Sequence, residues 1–224
     1  MKNIDEKKTA AVVLNGEMGN KEYYLKLFDS PEVDLIIAAD GGADLFFDLK
    51  LNPDWVIGDL DSLSRKKIDK LKSRGTKVKS FPSEKDETDS ELCLHFCHKR
   101  AINRVIMLSA LGGRVDQFLA NIFLLEYAES LGIEAKIREK KMEIGLIKNN
   151  INITNKNGWR LSLLPLDNRV KGVTIKGCKY EVSNLEMERH RTRGVSNKIV
   201  SSCAEISKKE GTLLYIISEK KHKN

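Results

Sequence analysis

The sequence predicts an α/β N-terminal domain, with a mostly parallel sheet and flanking helices, followed by an all-β, sandwich-like C-terminal domain; the division is expected at 1–139 and 140–224. Two observations carry this. Up to about residue 138, short apolar runs rich in β-branched residues alternate with amphipathic stretches, the pattern of parallel strands covered by helices. From Lys140 onward, glycines at 145, 158, 172, 177, 194 and 211 punctuate short apolar runs and helical periodicity is lost, as in an antiparallel sandwich or barrel.

In the first half, strands are expected at 9–14, 35–39, 55–57, 77–81, 105–109 and 134–138. Helices are expected at 43–49, 65–74, 89–100 and 115–131; in the last, Phe118, Ile122 and Leu125 recur at helical spacing. In the second half, 144–147, 159–164, 170–175 and 212–217 read as strands, with Trp159 starting one of them as a core residue. The boundary falls in the charged stretch 139–141, without a long linker, and the chain has no internal repeat.

With 224 residues and 41% hydrophobic content, the chain can bury one large core or two modest ones, so disorder is not the default expectation. Lys and Arg number 39 against 32 Asp and Glu, a net charge of +7 that admits a polyanionic partner without identifying it. Residues 1–8 are polar and charged, unlike a signal peptide, and the apolar runs are much shorter than a membrane span. Four scattered cysteines (Cys93, Cys97, Cys178, Cys203) read as reduced thiols, so the expectation is a soluble, cytoplasmic protein without a membrane partner.

In open parallel sheets ligands bind beyond the carboxyl ends of the strands. Four of the segments that follow predicted strands are unusual: Asp40-Gly41-Gly42, Gly58-Asp59-Leu60-Asp61-Ser62, Ser83-Glu84-Lys85-Asp86-Glu87-Thr88-Asp89 and Gly112-Gly113-Arg114-Val115-Asp116. Their carboxylates converge on one sheet edge if the strands run as predicted, and clustered carboxylates repel unless a cation sits among them. Magnesium takes one or two carboxylates together with substrate phosphates. Asp59 and Asp61, two residues apart on one loop, can face one ion, with Asp86 or Asp89 completing the set. The glycine pairs 41–42 and 112–113 leave room for a phosphate chain or sugar against backbone N–H groups, and Lys85 and Arg114 supply positive charge. Taken singly, Asp86 or Thr88 reads equally as a helix cap, the glycine pairs as turns and Arg114–Asp116 as a surface pair. Their common position at strand ends is what favours a ligand site.

Other signals point to structure. Cys93 and Cys97, one helical turn apart beside His95 and His98, suggest zinc, but with Leu92 and Phe96 they read better as the inward face of a helix. Residues 172–177 have P-loop spacing but continue with Cys178-Lys179. The basic run Arg189, His190, Arg191, Arg193 and the lysines at 220, 221 and 223 read as a solvated loop and terminus.

In order and spacing, these four segments resemble the motifs of the thiamine pyrophosphokinase family: Ala39-Asp40-Gly41-Gly42-Ala43, then Asn52-Pro53-Asp54 leading to Gly58 through Ser62, then Lys85 through Asp89, then Gly112 through Asp116. Gly194-Val195-Ser196-Asn197 resembles the family's Ser-Asn element. The resemblance implies magnesium-dependent transfer of pyrophosphate from ATP to the thiamine hydroxyl, giving thiamine diphosphate and AMP, by a homodimer whose active sites lie between subunits. It also implies an α/β catalytic domain and a β-sandwich domain that helps to bind thiamine and to dimerise. By the same resemblance Asp59, Asp61 and Asp89 are metal and catalytic residues. Arg114 and Asp116 are catalytic, and Asp40, Gly41, Gly42, Lys85, Asp86, Thr88, Gly112 and Gly113 lie at ATP. Ser196 and Asn197 lie at thiamine. The chain departs from the family pattern at Gln117, where many relatives carry His, and at Lys198, where many bacterial relatives carry Glu. Two alternatives stand beside this: a nucleotide-binding sensor without turnover, and a related pyrophosphokinase or nucleotide hydrolase with another acceptor. Nucleic acid is not expected as a partner, because acidic residues crowd the edge where its backbone would lie.

Overall fold

The computed structural model describes residues 7–84 and 86–219, and the chain divides into two compact units, 1–140 and 141–224. Lys85 and the lysines at 220, 221 and 223 lie outside the described residues.

Unit 1 is built on six strands: β1 (Thr9–Val13), β2 (Leu35–Ala39), β3 (Trp55–Gly58), β4 (Lys77–Ser80), β5 (Arg104–Leu108) and β6 (Glu134–Glu139). Their spatial order is β6-β5-β1-β2-β3-β4, and every neighbouring pair is parallel. The chain steps outward from β1 to β4, then returns to the other side of β1 for β5 and β6. Five helices connect the strands: α1 (Lys21–Phe28), α2 (Asp44–Leu49), α3 (Arg65–Ser73), α4 (Asp89–His98) and α5 (Val115–Ser130). A short 3-10 turn, Asp40–Ala43, leads into α2.

Strand alternation assigns the two faces. Ala11, Val13, Ala38, Val56, Ile106 and Leu108 form one core with Tyr24 and Leu27 of α1, Phe46 of α2 and Leu71 of α3. Helix α4 packs on β2 and β3, and α5 on β6 and α4. Local chemistry sets the helix starts: Asn20 caps α1 by accepting from the Tyr23 N–H at 3.0 Å, and Thr88 caps α4 by accepting from the Glu91 N–H at 3.3 Å. Helix α1 is absent from the sequence expectation. It has only eight residues, and its apolar residues Tyr23, Tyr24, Leu25, Leu27 and Phe28 are too dense to show a periodic stripe.

Unit 2 is all β. Its strands are β7 (Met142–Ile147), β8 (Asn150–Thr154), β9 (Arg160–Pro165), β10 (Arg169–Lys176), β11 (Val182–Glu188), β12 (Asn197–Lys198), β13 (Cys203–Ser207) and β14 (Leu213–Ser218). They pair antiparallel as β12-β9-β14-β7 and β11-β10-β13-β8. Both sheets feed one core, with Leu161, Leu163, Leu213 and Tyr215 from the first and Ile153, Val173, Met187 and Ile206 from the second. Strands β8, β11, β12 and β13 are missing from the sequence expectation: polar residues outnumber apolar ones in β8, β11 and β12, and β13, whose apolar residues are Cys203, Ala204 and Ile206, lacks the β-branched or aromatic run that marks a strand. Trp159 is half-buried and packs against this core from the residue before β9.

No helix of the described residues is long and apolar enough to cross a membrane. Cys93 and Cys97 are fully buried on α4, while the His95 imidazole bonds to the Tyr127 hydroxyl, so the helix presents its thiols to the core. Burial pushes the Cys97 thiol up to about 12, the Cys178 thiol up to about 11, and the Cys93 thiol well above its ordinary range. Since the thiolate is the reactive form, a maleimide at pH 7.5 should label Cys203 well before the other three in the native protein, and all four after denaturation. Peptide mapping by mass spectrometry checks this; early labelling of Cys93 or Cys97 would contradict the packing of α4.

Candidate functional site

Because all six strands of unit 1 are parallel, their carboxyl ends share one edge, and the strand order reverses beside β1. Such a reversal opens a crevice between diverging connections. A cleft of about 570 Å³ lies there, a volume that suits a nucleotide-sized ligand. Its walls are Asn15 and Gly16 after β1, Asp40 after β2, Asp59, Asp61 and Ser62 after β3, and Thr88, Asp89 and Ser90 at the start of α4. The opposite wall is Gly112, Gly113 and Arg114 after β5, with Gln117, Phe118 and Asn121 from α5.

One wall is acidic. Asp40 is only 6% exposed, adopts φ +41°, and its Oδ1 has no hydrogen-bond partner among the described residues. One carboxylate oxygen from each of Asp40, Asp59 and Asp89 lies within 4.8 Å of the others. Gly58 permits this approach: it has φ +155°, and a Cβ there would sit 2.9 Å from the Asp40 Cβ and 3.2 Å from the Asp89 carboxyl. Asp89 opens α4, where the partial positive charge of the helix N-terminus favours a carboxylate. Asp61 is exposed and stands beside the trio. Its N–H donates to Asp59 Oδ1 at 3.2 Å, and its own Oδ1 accepts from the Ser62 hydroxyl at 3.2 Å. Three converging carboxylates, one with an orphaned buried oxygen, make an all-oxygen donor set. That chemistry fits a hard divalent cation such as Mg²⁺, whereas zinc favours Cys and His.

The other wall is a glycine turn beside a positive charge. Gly112 and Gly113 take φ +76° and +65°, conformations that side-chain-bearing residues rarely adopt, and the turn they form delivers the chain into α5. Arg114 Nε and Nη2 donate to Asp116 at 3.1 and 2.5 Å, and the Gln117 N–H donates to Asp116 Oδ1 at 2.9 Å. The Arg114 guanidinium holds the Asp116 carboxyl below its ordinary range, and Asp116 in turn raises Arg114. Asn121, buried on α5, ties this wall to the sheet by donating from Nδ2 to the Ala110 carbonyl at 3.1 Å.

The structure thus brings Asp40, Asp59, Asp61, Thr88, Asp89, Gly112, Gly113 and Arg114 onto one cleft. It differs from the sequence expectation elsewhere. The trio contains Asp40 where the expected metal set had Asp61. Gly41 and Gly42 do not line the cleft; their missing side chains make room for the Asn15 side chain and for the Val13 and Leu14 carbonyls. Asp86 is exposed and off the cleft wall, and Asp116 reaches the cleft only through Arg114. Thr88 is both a cleft residue and a cap. In unit 2, Ser196 takes φ +65°, and its N–H donates to Ser162 Oγ at 3.1 Å. Asn197 is buried, and its amide clamps Tyr180, accepting from the N–H at 3.0 Å and donating to the carbonyl at 2.7 Å. Asn15 and Gly16 escaped notice because the first strand ends in neither charge nor a glycine pair, although the strand-end rule applies to it equally.

The family model for the thiamin pyrophosphokinase catalytic domain matches residues 30–137, and that for the thiamin pyrophosphokinase vitamin B1 binding domain matches residues 148–213. Among characterised relatives, the thiamine pyrophosphokinase of Bacillus subtilis (strain 168) is 26% identical over 186 residues, 82% of this chain and 87% of that protein. Thiamine pyrophosphokinase 2 of Arabidopsis thaliana is 25% identical over 211 residues, 84% of this chain and 79% of that protein. Two solved structures share the fold. Thiamine pyrophosphokinase from Bacillus subtilis has a TM-score of 0.83 at 24% identity over 95% of this chain and 100% of the other. Thiamin pyrophosphokinase from Candida albicans has 0.81 at 20% identity over 95% and 90%.

Crowded carboxylates without a cation repel one another, so Asp40→Asn should stabilise the protein in EDTA by about 1 kcal/mol. Millimolar Mg²⁺ should raise the melting temperature of the parent protein, as a ligand that binds only the folded state does, and Asp40→Asn should reduce that rise. Thermal denaturation of both proteins with and without Mg²⁺ checks this. An unchanged magnesium response would remove Asp40 from the ion site.

Proposed function

The chain belongs to the thiamin pyrophosphokinase family, and on that premise we propose that it transfers the terminal pyrophosphoryl group of ATP to the hydroxyl of thiamine, releasing AMP and thiamine diphosphate. The observation that carries this is the two-walled cleft: an acidic trio faces a glycine turn and an arginine at the strand-order reversal of a parallel sheet. A polyphosphate with its counter-ion matches that charge arrangement, whereas a nucleic-acid backbone would meet the acidic wall.

Asp59 and Asp89, joined by Asp40 and with Asp61 beside them, are the residues that would hold magnesium. When bound, the ion supplies charge neutralisation on the phosphate oxygens. The remaining roles belong to the chain. Gly112 and Gly113 add no side chains of their own to this wall, so a phosphate chain can come close to the backbone of the turn; the space a Cβ at Gly112 would need is taken by the Glu17 side chain. Arg114 can grip two phosphate oxygens at once, and Asp116 aims it. In the reaction the thiamine oxygen forms a bond to the β-phosphorus as the bond to AMP breaks, and the hydroxyl proton leaves. Asp116 is poorly suited to take that proton, because its hydrogen bonds from Arg114 lower its carboxyl below the ordinary range and so make it a weaker base. Most of the rate gain therefore comes from positioning and charge neutralisation, as in phosphoryl transfer generally.

For unit 2 we propose thiamine binding through the segment that contains Ser196 and Asn197, with Asn197 shaping the segment through Tyr180. By family likeness we also propose a homodimer and a cytoplasmic location. Lys198 carries a positive charge where cationic thiamine would be repelled, so it is not assigned to that contact.

Purified protein with Mg-ATP should release AMP only when thiamine is present, in equal amount with thiamine diphosphate. Binding of ATP without AMP would identify a sensor, and AMP or phosphate release without thiamine would identify a hydrolase or another acceptor. Asp59→Asn and Asp61→Asn should each lower kcat by roughly 100-fold or more with little change in melting temperature. An Asp61→Asn enzyme of full activity at ordinary magnesium would remove Asp61 from the machinery.

A further inference from the structure

Behind the cleft lies a buried polar network centred on Ser109, Tyr24 and Glu139. Ser109, directly after β5, starts the connection that forms the glycine wall, and it has φ +49°, a conformation that costs a non-glycine residue energy. Each of its polar groups is tied down. The Ser109 N–H donates to Glu139 Oε1 at 2.9 Å, its hydroxyl lies 3.1 Å from the Tyr24 hydroxyl, and its carbonyl accepts from the Gly16 N–H at 2.8 Å.

Tyr24 and Glu139 hold the centre. The Tyr24 hydroxyl, on a side chain with no exposure, lies 2.8 Å from both Glu139 oxygens, to which it donates, and accepts from the Gly19 N–H at 3.0 Å. A side chain at Gly19 would come within 2.6 Å of the Tyr24 hydroxyl and collide with the Glu139 carboxylate. Next to Glu139 on β6, Arg138 clamps the flank of the same helix: it donates to the Tyr23 hydroxyl at 2.7 Å and to both Glu32 oxygens at 2.7 and 2.9 Å. The end of β6 therefore ties together α1, the connection from β1 to α1, and the strained start of the glycine wall. The two connections are laced directly as well, Leu14 N–H to Leu108 O and Glu17 N–H to Leu111 O, each at 2.9 Å.

Among the described residues Glu139 has no cation as a hydrogen-bond partner, and the neighbouring Arg138 is engaged by Glu32 and Tyr23. Burial accordingly pushes its carboxyl above the ordinary range. A desolvated carboxylate is an expensive way to hold a core together; an apolar residue of similar size generally serves stability as well or better. What a carboxylate provides and an apolar side chain cannot is a fixed acceptor for the Ser109 N–H and the Tyr24 O–H at once.

We infer that Glu139 and Tyr24 are positioning residues: neither lines the cleft, and together they lock Ser109 so that residues 110–114 and 15–16 stand at the distance a bound polyphosphate requires. The kinetic part rests on the proposed ATP-dependent activity, whereas the positional part does not.

The test uses the full chain with Glu139→Gln and Tyr24→Phe, and compares both with the parent. Amide hydrogen exchange should accelerate about tenfold or more in residues 109–113 and 15–19 while β1 and β5 stay protected, the signature of local opening. In Mg-ATP kinetics the KM for ATP should rise about tenfold and the KM for thiamine should stay unchanged, a split that general destabilisation would not produce. Glu139→Gln, which keeps one acceptor oxygen, should retain more activity than Glu139→Leu. Parent-like exchange and parent-like KM in both variants would overturn the inference. So would failure of both to fold, since the network would then serve the stability of the whole unit. If the parent itself shows no turnover, the functional proposal falls and hydrogen exchange alone decides the positional one.

Discussion

Parallel pairing throughout unit 1 is the constraint on which the site depends. It forces every strand of β1 to β6 to end on the same edge, and because a parallel sheet needs crossover helices, every strand end is followed by a connection. The strand order reverses at β1, and the cleft lies at that reversal. Residues separated by more than 70 positions, Asp40 and Arg114 among them, become walls of one cleft. Nothing local holds them together; the sheet does.

Placing four aspartates at that edge works against stability. Asp40 is buried with an unpartnered oxygen, close to two further carboxylates, and like charges at such separations oppose one another. Backbone strain collects at the same strand ends: Asp40, Leu60 and Ser109 all have positive φ, at 41°, 67° and 49°. Such residues persist where surrounding structure over-determines them. At Asp40 this is the packing of Gly41 and Gly42 on the end of β1, and at Ser109 it is the Tyr24–Glu139 network. The sheet, the glycines and that network are thus parts of one arrangement that maintains an electrostatically unfavourable edge ready for a cation and phosphates.

Much of this was legible in the sequence because it is local. The β-branched runs of β1, β2 and β5 and the periodic apolar residues of α5 declare their conformation within a few residues, as do the glycines that divide unit 2. The motif residues Asp59, Asp89 and Arg114 were visible for the same reason: charge directly after an apolar run is conspicuous. What escaped was weakly patterned. Helix α1 is too short for a period, β11 carries mostly polar residues, and Asn15 is an ordinary residue made important by its neighbours. Glu139 read as part of a charged boundary, since a sequence does not tell a solvated glutamate from a buried one.

By itself, then, the sequence determined the fold class, the family and the order of most elements in unit 1, each of which depends on residue types at short separations. The tertiary structure alone decided that Asp40 joins Asp59 and Asp89 while Asp61 stands aside, that Gly41 and Gly42 serve packing, and that Asn197 is spent on Tyr180. It also decided that Glu139 reaches back to Ser109 and, across more than 100 residues, to Tyr24. The physical reason is that these outcomes depend on side-chain direction and desolvation, which arise only when strands distant along the chain are set side by side.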